Sequence, residues 1–588
     1  MRFALTRSCA AEVARRVLVV LLLALAVLAL LDWAAARAQP VAVGGLGESK
    51  LPCVSYAPFR REGHTPFNAA LIVSPAQIEA DLRLLRELTG CVRTYGIDHG
   101  LDQVPAIARR LGLRVVLGAW IGSDAAANAA QLDRALELAH EHADVVELLM
   151  VGNEVLLRRE LSAQALGMVL ADAKRRSSVP ISYADVWEFW LRHGAALRDH
   201  VDVVSVHVLP YWEDEPVAID HAVAHVQAIL ALVRKAFQAQ PVFLAEAGWP
   251  SQGRQRGAAV PGRLEQTRFV RDMLALETRP AAGGLPAFNL IEGFDQPWKR
   301  SLEGAMGGHW GLFDAQGVQR VPLAGPVVPD PQARERLWAA GAGTAVALWA
   351  WFVARRRPSR DAAERALQLQ LRLLLSALAA ALAGAAIGAL AVWQWRELEL
   401  WSRVPLEWAR NGSMAALALA GAVAAAAQLS VRLGQAFDTP APVRPSLAAV
   451  RQGAAGRGAQ GLAWLQLGLL FAVAWAALAL LFDGRYRSLL WPLLAAAAGL
   501  WLALALLGLR FDRSAREERL LAAVCGVAAP WLLLHEGLQN TEALALGGIW
   551  LALAWATWWP HRRGPPAVSD CTHASAASST AGAAMSAE

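Results

Sequence analysis

Seven apolar runs of about 20 residues follow one another in the C-terminal part of the chain and constrain its fold most strongly. They cover residues 337–354, 370–393, 413–431, 461–482, 488–509, 520–538 and 543–559. Because an α-helix rises about 1.5 Å per residue, about 20 apolar residues cross the ~30 Å hydrocarbon core of a bilayer. We therefore predict an all-α, seven-helix transmembrane domain over residues 336–560, followed by a disordered cytoplasmic tail over 561–588.

Arginines in the connecting loops predict how these helices are oriented. They are concentrated in every second loop, at residues 355–360, 432–457, 510–519 and 562–563. Arginine-rich loops are typically cytoplasmic, which places residues 39–335 on the outer side of the membrane. The same arginines account for most of the net charge of +6. We therefore expect a lipid bilayer, and not a nucleic acid, as the partner of these charges.

The N-terminal segment, residues 1–38, has the pattern of an export signal. Four arginines precede an apolar run over residues 17–31, and the small-residue sequence Ala36-Arg37-Ala38 follows it. Such a segment is either a cleaved signal peptide or a retained signal anchor. Both alternatives export the residues that follow. We predict a multi-pass protein of the inner membrane whose residues 39–335 lie in the periplasm.

Residues 39–335 have the composition of a globular domain in which apolar, β-branched runs alternate with amphipathic stretches. The predicted strands are Cys53–Ala57, Cys91–Tyr95, Arg114–Trp120, Val145–Gly152, Val179–Ala184, Val201–Val208, Val242–Gly248 and Phe288–Phe294. The predicted helices are 75–88, 102–111, 128–142, 162–176, 187–198, 218–238 and 262–277. Eight strands alternating with helices predict a (β/α)8 TIM barrel of the α/β class. An open doubly wound sheet is the alternative, but no Gly-x-Gly-x-x-Gly follows the first strand.

Two glutamates stand at the ends of otherwise apolar strands. Glu154 follows the fourth predicted strand and Glu246 ends the seventh. Reactive groups of such barrels lie at the C-terminal ends of the strands, and a carboxylate is costly to bury unless it is paired or used. Two carboxylates across a barrel mouth suit glycoside hydrolysis with retention. Asn153, beside Glu154, would then donate a hydrogen bond to the 2-hydroxyl of the sugar.

The segments MVGNEV and AEAGWPS around these glutamates resemble those of glycoside hydrolase family 17, in particular its bacterial membrane-attached members. Further agreement lies in VRTYG at 92–96, VHVLPYW at 206–212, FDQPWK at 294–299 and HWGLF at 309–313. The resemblance implies action on β-1,3-glucan polysaccharides or oligosaccharides, with Glu154 as proton donor and Glu246 as nucleophile. Plant members have a tyrosine where this chain has Leu209 and a glutamate where it has Gln296.

Other residues near the strand ends are candidates for binding the substrate. A flat aromatic ring packs against the C–H groups of a pyranose, and a buried arginine or histidine orients a carboxylate. The candidates are Tyr56, Arg93, Tyr95, Trp120, His207, Tyr211, Trp249, Trp298 and Lys299. Core packing is an equal alternative for Trp120 and Trp310, and simple solvation is an equal alternative for Lys299.

Two cysteines begin the first two predicted strands, which are neighbours in a barrel. Adjacent strands lie about 4.8 Å apart and disulfides join Cα atoms about 4.4–6.8 Å apart, so we predict a Cys53–Cys91 disulfide. An oxidising periplasm permits it. His140 and His142 are two residues apart, a spacing that faces opposite ways on a helix, and His221 and His225 lack a third ligand. We therefore expect neither a metal nor another cofactor.

Three functions remain open from the sequence. The first is a membrane-anchored β-1,3-glucan hydrolase (a glucan endo-1,3-β-D-glucosidase), and the second is a transglucosylase that remodels periplasmic glucans. The third is a catalytically inert glucan-binding membrane protein. Seven further helices exceed what an anchor needs and suggest a partner such as a separate glucan synthase or exporter. A synthase within this chain is excluded, because the longest cytoplasmic loop, 432–460, is too short for a nucleotide-sugar domain and has no Asp-x-Asp.

Overall fold

The structure is a computed structural model of the 588-residue chain, and it divides into two compact units. Pro40–Pro329 form one unit, and Met1–Gln39 together with Asp330–Glu588 form the other. The structure describes residues 7–44, 50–276, 286–355, 366–437, 439, 443–444, 457–482, 491–508, 510–511 and 515–558. The predicted disordered tail and most of the arginine-rich loops lie outside the described residues.

The first unit contains a closed barrel of eight parallel strands. The strands are β1 (Cys53–Ser55), β2 (Cys91–Arg93), β3 (Arg114–Ala119), β4 (Val146–Asn153), β5 (Ile181–Val186), β6 (Val203–His207), β7 (Val242–Ala247) and β8 (Phe288–Leu290). Each strand pairs with the next one in the chain, and β1 pairs with β8. The predicted TIM barrel is therefore confirmed, and all eight of its strands lie within the predicted apolar runs or overlap them.

Helices alternate with these strands as the amphipathic pattern predicts. They are Pro75–Leu88, Val104–Leu111, Ala125–Glu141, Ala163–Arg176, Trp187–His193, Ile219–Ala236 and Arg263–Ala275, with a short helix Arg300–Glu303 after β8. The side chains of Ser74, Asp124 and Ser162 each accept hydrogen bonds from backbone N–H groups in the first turn of the helix that follows. Such caps satisfy amides that have no partner within the helix and fix where it begins.

Apolar side chains fill the interior of the barrel below the carboxyl ends of the strands. Val116, Leu148 and Phe243 belong to this buried cluster. Cys53 and Cys91 belong to it as well and are joined by a disulfide whose Cα atoms are 4.4 Å apart. Because side chains occupy this part of the barrel, as is usual for the fold, its chemistry is confined to the carboxyl ends of the strands.

The second unit is helical. Its described helices are Arg7–Arg37, Ala333–Arg355, Ala366–Trp401, Pro405–Gly434, Arg457–Phe482, Pro492–Leu506, Arg516–Glu536 and Thr541–Trp558. In the described part of the chain, six segments are long and apolar enough to cross a membrane: Ala10–Arg37, Ala333–Ala354, Leu367–Trp401, Pro405–Gly434, Gln460–Phe482 and Arg516–Glu536. The helix in the predicted span 488–509 is shorter, with 15 residues. It begins at a proline, which favours the first turn of a helix, and Gly508 with φ of 85° follows its end.

Small residues bring the helices Ala333–Arg355 and Ala366–Trp401 into close contact. A Cβ atom added to Gly384 would overlap the backbone carbonyl of Gly343, and one added to Gly388 would overlap that of Ala339. Close backbone approach through small residues is a common mode of packing between membrane helices.

The N-terminal helix, Arg7–Arg37, packs against other helices of this unit. Arg16 is fully buried, and its guanidinium donates to Glu12 and to backbone carbonyls that follow Arg432. Arg432 itself donates to the same Glu12 carboxylate at 2.9 Å. Towards the other end of the helix, the ring of Trp33 stacks on that of Trp393 with a centroid distance of 4.7 Å.

Candidate active site

Glu154 and Glu246 come together at the mouth of the barrel. Glu246 lies near the end of β7, and Glu154 directly follows β4. One carboxylate oxygen of each residue and a ring nitrogen of His207 all lie within 4.8 Å of one another. The side chain of Glu246 is 5% exposed and that of Glu154 is 26% exposed. The two carboxyl groups are thus close together in different environments.

The turn after β4 directs Glu154 into the mouth. Gly152 has φ of 88°, and a Cβ atom there would lie 2.8 Å from the Val155 side chain. Glu154 itself has φ of 53°, a left-handed conformation that is uncommon for residues other than glycine. Its backbone N–H donates to the carbonyl of Ala184 on β5 at 2.8 Å. Strained conformations of this kind persist where the surrounding structure holds them, and they are frequent at functional sites.

Arg93 at the end of β2 connects both halves of this site. Its Nη1 donates to Glu246 Oε1 at 3.0 Å, and its Nη2 donates to Asn153 Oδ1 at 2.5 Å. The hydroxyl of Tyr95 also donates to Glu246 Oε1, at 2.8 Å, and lies 3.0 Å from the Ser55 hydroxyl. One guanidinium therefore fixes the nucleophile candidate on β7 relative to the residue that precedes the acid candidate.

The charge of Glu246 follows from these neighbours. Burial alone would raise the pKa of Glu246, but the positive charges of His207, Arg93 and Lys299 and the hydrogen bond from Tyr95 together lower it. Burial raises the pKa of Tyr95 well above its usual value, so its hydroxyl remains a donor. Glu246 is therefore a carboxylate at neutral pH, the state that a nucleophile requires.

His207, the last residue of β6, lies between the two glutamates. Its Nδ1 is 3.0 Å from Glu154 Oε1, and its Nε2 is 3.6 Å from Glu246 Oε1. The imidazole is fully buried, and Nε2 has no hydrogen-bond partner among the described residues. His207 Nδ1 is therefore within hydrogen-bond distance of Glu154, and the prediction that a buried histidine on this strand orients a carboxylate stays a prediction.

A second group of charged residues follows β8. Lys299 Nζ donates to both oxygens of Glu292, at 3.0 and 2.9 Å, so Lys299 is paired rather than simply solvated. Burial raises the pKa of Glu292 to about 7 even though Lys299 opposes the shift. Burial also raises the pKa of Glu303 to about 7, against the effect of Lys299 and with the help of the negative charges of Glu154 and Glu246. The charge of the site therefore changes near neutral pH.

Three carboxyl groups near the site were not predicted from the sequence: Asp185, Glu292 and Glu303. Asp185 lies near the end of β5 and accepts a hydrogen bond from Tyr183. Burial raises the pKa of Asp185 to about 6, and the charge of Glu154 adds to this shift. A polar residue near the end of an apolar strand was the available signal for Asp185, as it was for Glu246.

Trp120 and Trp298 are the tryptophan candidates that reach solvent. Trp120 is 39% exposed, and the guanidinium of Arg158 lies over its ring, 4.1 Å from the centroid. Trp298 is half-buried and donates from its indole N–H to Gln296 Oε1 at 2.9 Å. The ring of Phe67 meets Trp298 edge-on with a centroid distance of 5.6 Å. Both tryptophans are held in fixed positions by neighbouring side chains.

The rings of Tyr56, Tyr211 and Trp249 are buried instead. None of them is more than 1% exposed, and their polar atoms donate to Asp81 and to two backbone carbonyls. Their burial does not support the prediction that they bind sugar, because a stacking platform needs an accessible ring face. Trp310 is 4% exposed and matches the core-packing alternative. The sequence shows that a residue lies near the end of a strand. It does not show whether another part of the chain covers that residue.

Glu154, His207 and Glu246 form the single group of potential metal ligands in the parts of the chain that the structure describes. Glu246 Oε1 already accepts hydrogen bonds from Arg93 and Tyr95. The guanidinium supplies positive charge beside this carboxylate. The group therefore suits catalysis by two carboxyl groups better than coordination of an ion.

Residues 53–311 match the family model of the BtgE/BtgC glycoside hydrolase domain, a segment that contains the whole barrel and both glutamates. The chain is similar to the probable beta-glucosidase btgE of Aspergillus fumigatus strain CEA10, with 26% identity over 229 residues, 38% of this chain and 39% of the relative. The corresponding protein of Emericella nidulans is 26% identical over 233 residues, 38% of this chain and 40% of the relative. The chain thus matches only about two fifths of the length of these curated relatives.

Two solved structures are similar to the barrel. An active-site mutant of the Rhizomucor miehei beta-1,3-glucanosyltransferase in complex with laminaritriose is 21% identical, with 47% of this chain and 98% of that chain covered and a TM-score of 0.41. An endo-laminarinase from Formosa Hel1_33_131 is 21% identical, with 46% of this chain and 85% of that chain covered and a TM-score of 0.38.

Proposed function

We propose that the barrel, a glycoside hydrolase domain by its family match, cleaves β-1,3-glucosidic bonds of glucans with retention of configuration. The observation that carries this proposal is the close approach of Glu154 and Glu246, with oxygens within 4.8 Å. Retaining glycosidases hold their two carboxyl groups about 5–5.5 Å apart, whereas inverting ones leave about 6.5–9.5 Å for a water molecule. The pair in this barrel has the shorter spacing.

The two glutamates take different roles because their surroundings differ. Glu246, buried and held ionised by the charges of His207, Arg93 and Lys299, attacks the anomeric carbon and forms a covalent glucosyl-enzyme. Glu154, which is more exposed and bonded to His207, protonates the leaving oxygen as the bond to it breaks. Glu154 then removes a proton from the incoming hydroxyl, which attacks the same carbon and releases Glu246.

Asn153 is placed to bind the reacting sugar. Its Oδ1 accepts from Arg93, which turns the amide so that its NH2 group can donate to a sugar hydroxyl. A hydrogen bond to the 2-hydroxyl strengthens in the transition state of glycoside hydrolysis. Tyr95, Trp298 and Lys299 surround the same mouth and complete the proposed binding residues.

Hydrolysis and transglucosylation share every step up to the glucosyl-enzyme. They differ only in whether water or the hydroxyl of a second glucan attacks it. The close pair of carboxyl groups favours a hydrolase or a transglucosylase over an inert glucan-binding protein. Binding of a glucan alone requires neither an ionised Glu246 nor a second carboxyl group, that of Glu154, close to it.

We further propose that the helical unit holds the enzyme in the inner membrane with its barrel in the periplasm. Alternate arginine-rich loops and six long apolar helices support this arrangement. The N-terminal helix is then a retained anchor rather than a cleaved signal. The buried contacts of Arg16 and the stacking of Trp33 on Trp393 support its retention. Cleavage after Ala38 would remove the donor to the backbone carbonyls that Arg16 contacts, and it would uncover the ring of Trp393.

Product analysis of the full-length protein in detergent tests the activity. Incubation with laminari-oligosaccharides should yield shorter sugars if water is the acceptor, and both shorter and longer sugars if a glucan is the acceptor. Glu246→Ala should abolish turnover while it retains binding of the oligosaccharide. Absence of any product from the wild-type protein would support the inert alternative, and full activity of the variant would refute the assignment of the nucleophile.

A further inference from the structure

An open pocket is formed by residues of the loops that follow β2 and β3 and of the helix Ala125–Glu141. Its volume is about 780 Å³, within the range of about 300–1,000 Å³ that is usual for ligand sites. Asp98, Asp124, Trp120, Gln131 and Glu160 are among the residues that line it. We refer to this cavity as the Trp120 pocket. None of the catalytic side chains lines it.

Trp120 supplies a fixed aromatic surface to this pocket. One face of its ring is covered by Arg158, while 39% of the residue remains exposed. The Arg158 guanidinium also donates to the carbonyls of Asn153 and Ile121, each at 2.9 Å. The same side chain thus supports the tryptophan and the residue that precedes Glu154.

The polar lining consists mainly of hydrogen-bond acceptors in fixed positions. Asp98 accepts a hydrogen bond from Gln131, and Asp124 caps the helix Ala125–Glu141 through one oxygen. A carboxylate has about four acceptor sites, so such partners leave capacity for the hydroxyl groups of a sugar. An exposed aromatic ring beside carboxylate and amide acceptors matches the two faces of a glucose unit, its C–H surface and its hydroxyl edge.

Negative charge dominates this lining. Four acidic residues line the pocket, against Arg134 in the lining and Arg158 beside it. Asp102 lies 3.9 Å from Arg134 and Glu160 lies 2.9 Å from Arg158, so the excess negative charge is that of Asp98 and Asp124. A neutral glucan experiences no net repulsion in such a field, whereas a glucan that carries phosphate, carboxylate or succinate groups is repelled. Specificity of this kind results from a repulsive element as much as from attractive contacts.

We propose that the Trp120 pocket binds a neutral segment of the glucan chain, remote from the bond that is cleaved, and that it discriminates against anionic substituents. This inference rests on the proposed glucan-cleaving function and extends it to chain length and substitution. Trp120 packs against a sugar ring, and the carboxylates of the lining accept its hydroxyl groups. The reacting sugar remains with Glu154 and Glu246.

Chain-length dependence tests the binding role of the pocket. The full-length protein in detergent is assayed on laminaritriose and on laminariheptaose. The kcat/KM for laminariheptaose is divided by the kcat/KM for laminaritriose, and this ratio is compared between variants. The loss of one stacked sugar should lower this ratio about 10-fold in Trp120→Ala, mainly through KM for the longer substrate, and much less in Trp120→Phe. Met168→Ala, on an exposed residue of another helix, is the matched control and should leave the ratio unchanged.

Charge removal tests the discrimination against anionic chains. Asp98→Asn and Asp124→Asn together remove two charges, and asparagine still caps a helix. Activity on carboxymethylated β-1,3-glucan, relative to the neutral polymer, should rise several-fold in this double variant and should depend less on salt concentration than in the wild type. If the wild-type enzyme is active but the variants change neither the chain-length ratio nor the ratio of activity on carboxymethylated to neutral glucan, this inference alone is overturned. A wild-type protein that cleaves none of these sugars would overturn the proposed function itself.

Discussion

Arg93 donates to Glu246 at 3.0 Å in the centre of the barrel, where neither side chain is more than 5% exposed. A buried ion pair of this kind is costly to break, because the remaining charge is left without a partner. Arg93 also donates to Asn153, so one guanidinium contributes both to the negative charge of the proposed nucleophile and to the position of the proposed sugar-binding amide.

Arg93→Met should lower kcat about 100-fold or more, because it removes a charge that stabilises Glu246 and a donor that positions Asn153. The loss of positive charge raises the pKa of Glu246, so the acidic limb of the kcat/KM profile should move to higher pH. Arg93→Lys keeps the positive charge but lacks the forked pair of N–H donors. It should therefore return the acidic limb to its wild-type pH more fully than it returns kcat to its wild-type value. An acidic limb that is identical in Arg93→Met and wild type would contradict this role.

Glu303 should make the barrel less stable as the pH rises. Its pKa is about 7 in the folded protein, against about 4.3 in an unfolded chain, so the folded state binds more protons between these values. The free energy of unfolding must therefore fall across this range as the pH increases. Glu303→Gln should raise Tm relative to wild type more at pH 8 than at pH 5, as measured by thermal unfolding. The exposed Glu62→Gln serves as the control, and an equal difference in Tm at both pH values would refute the prediction.

The Cys53–Cys91 disulfide closes a loop between residues 38 positions apart. Its removal by the double substitution Cys53→Ala and Cys91→Ala should lower the free energy of unfolding by about 3–4 kcal/mol, chiefly because the unfolded chain gains freedom. Thiol titration of denatured protein should detect two more thiols after reduction than before it. Equal thiol counts before and after reduction would exclude the bond.

The N-terminal helix should remain part of the mature protein. Intact-mass measurement of protein purified from membranes should give a chain that includes Arg16 and Trp33. Arg16→Leu should reduce the amount of folded protein in the membrane, since it removes one cation that pairs with Glu12 and leaves the carbonyls of Leu433 and Gln435 without this donor. A mature chain that begins after Ala38 would refute retention.

The barrel was predictable because its strands are continuous apolar runs of the length that the fold requires. Glu154 and Glu246 stood out for a related reason, since a carboxylate is conspicuous at the end of such a run. Trp249 could not be distinguished in the same way, because its burial depends on loops and helices distant in the sequence. Glu303 was not predictable either, since its environment exists only once the segment after β8 folds near Glu154 and Glu246.

The configuration of the first sugar that is released shows whether cleavage retains or inverts the anomeric carbon. Proton NMR during the first minutes of cleavage of a β-1,3-linked oligosaccharide resolves the two anomers before they interconvert in solution. Because the carboxyl groups of Glu154 and Glu246 have the short spacing of retaining enzymes, we expect the β-anomer to be formed first. Initial release of the α-anomer would show that water attacks the sugar directly and would contradict the assignment of Glu246 as the nucleophile.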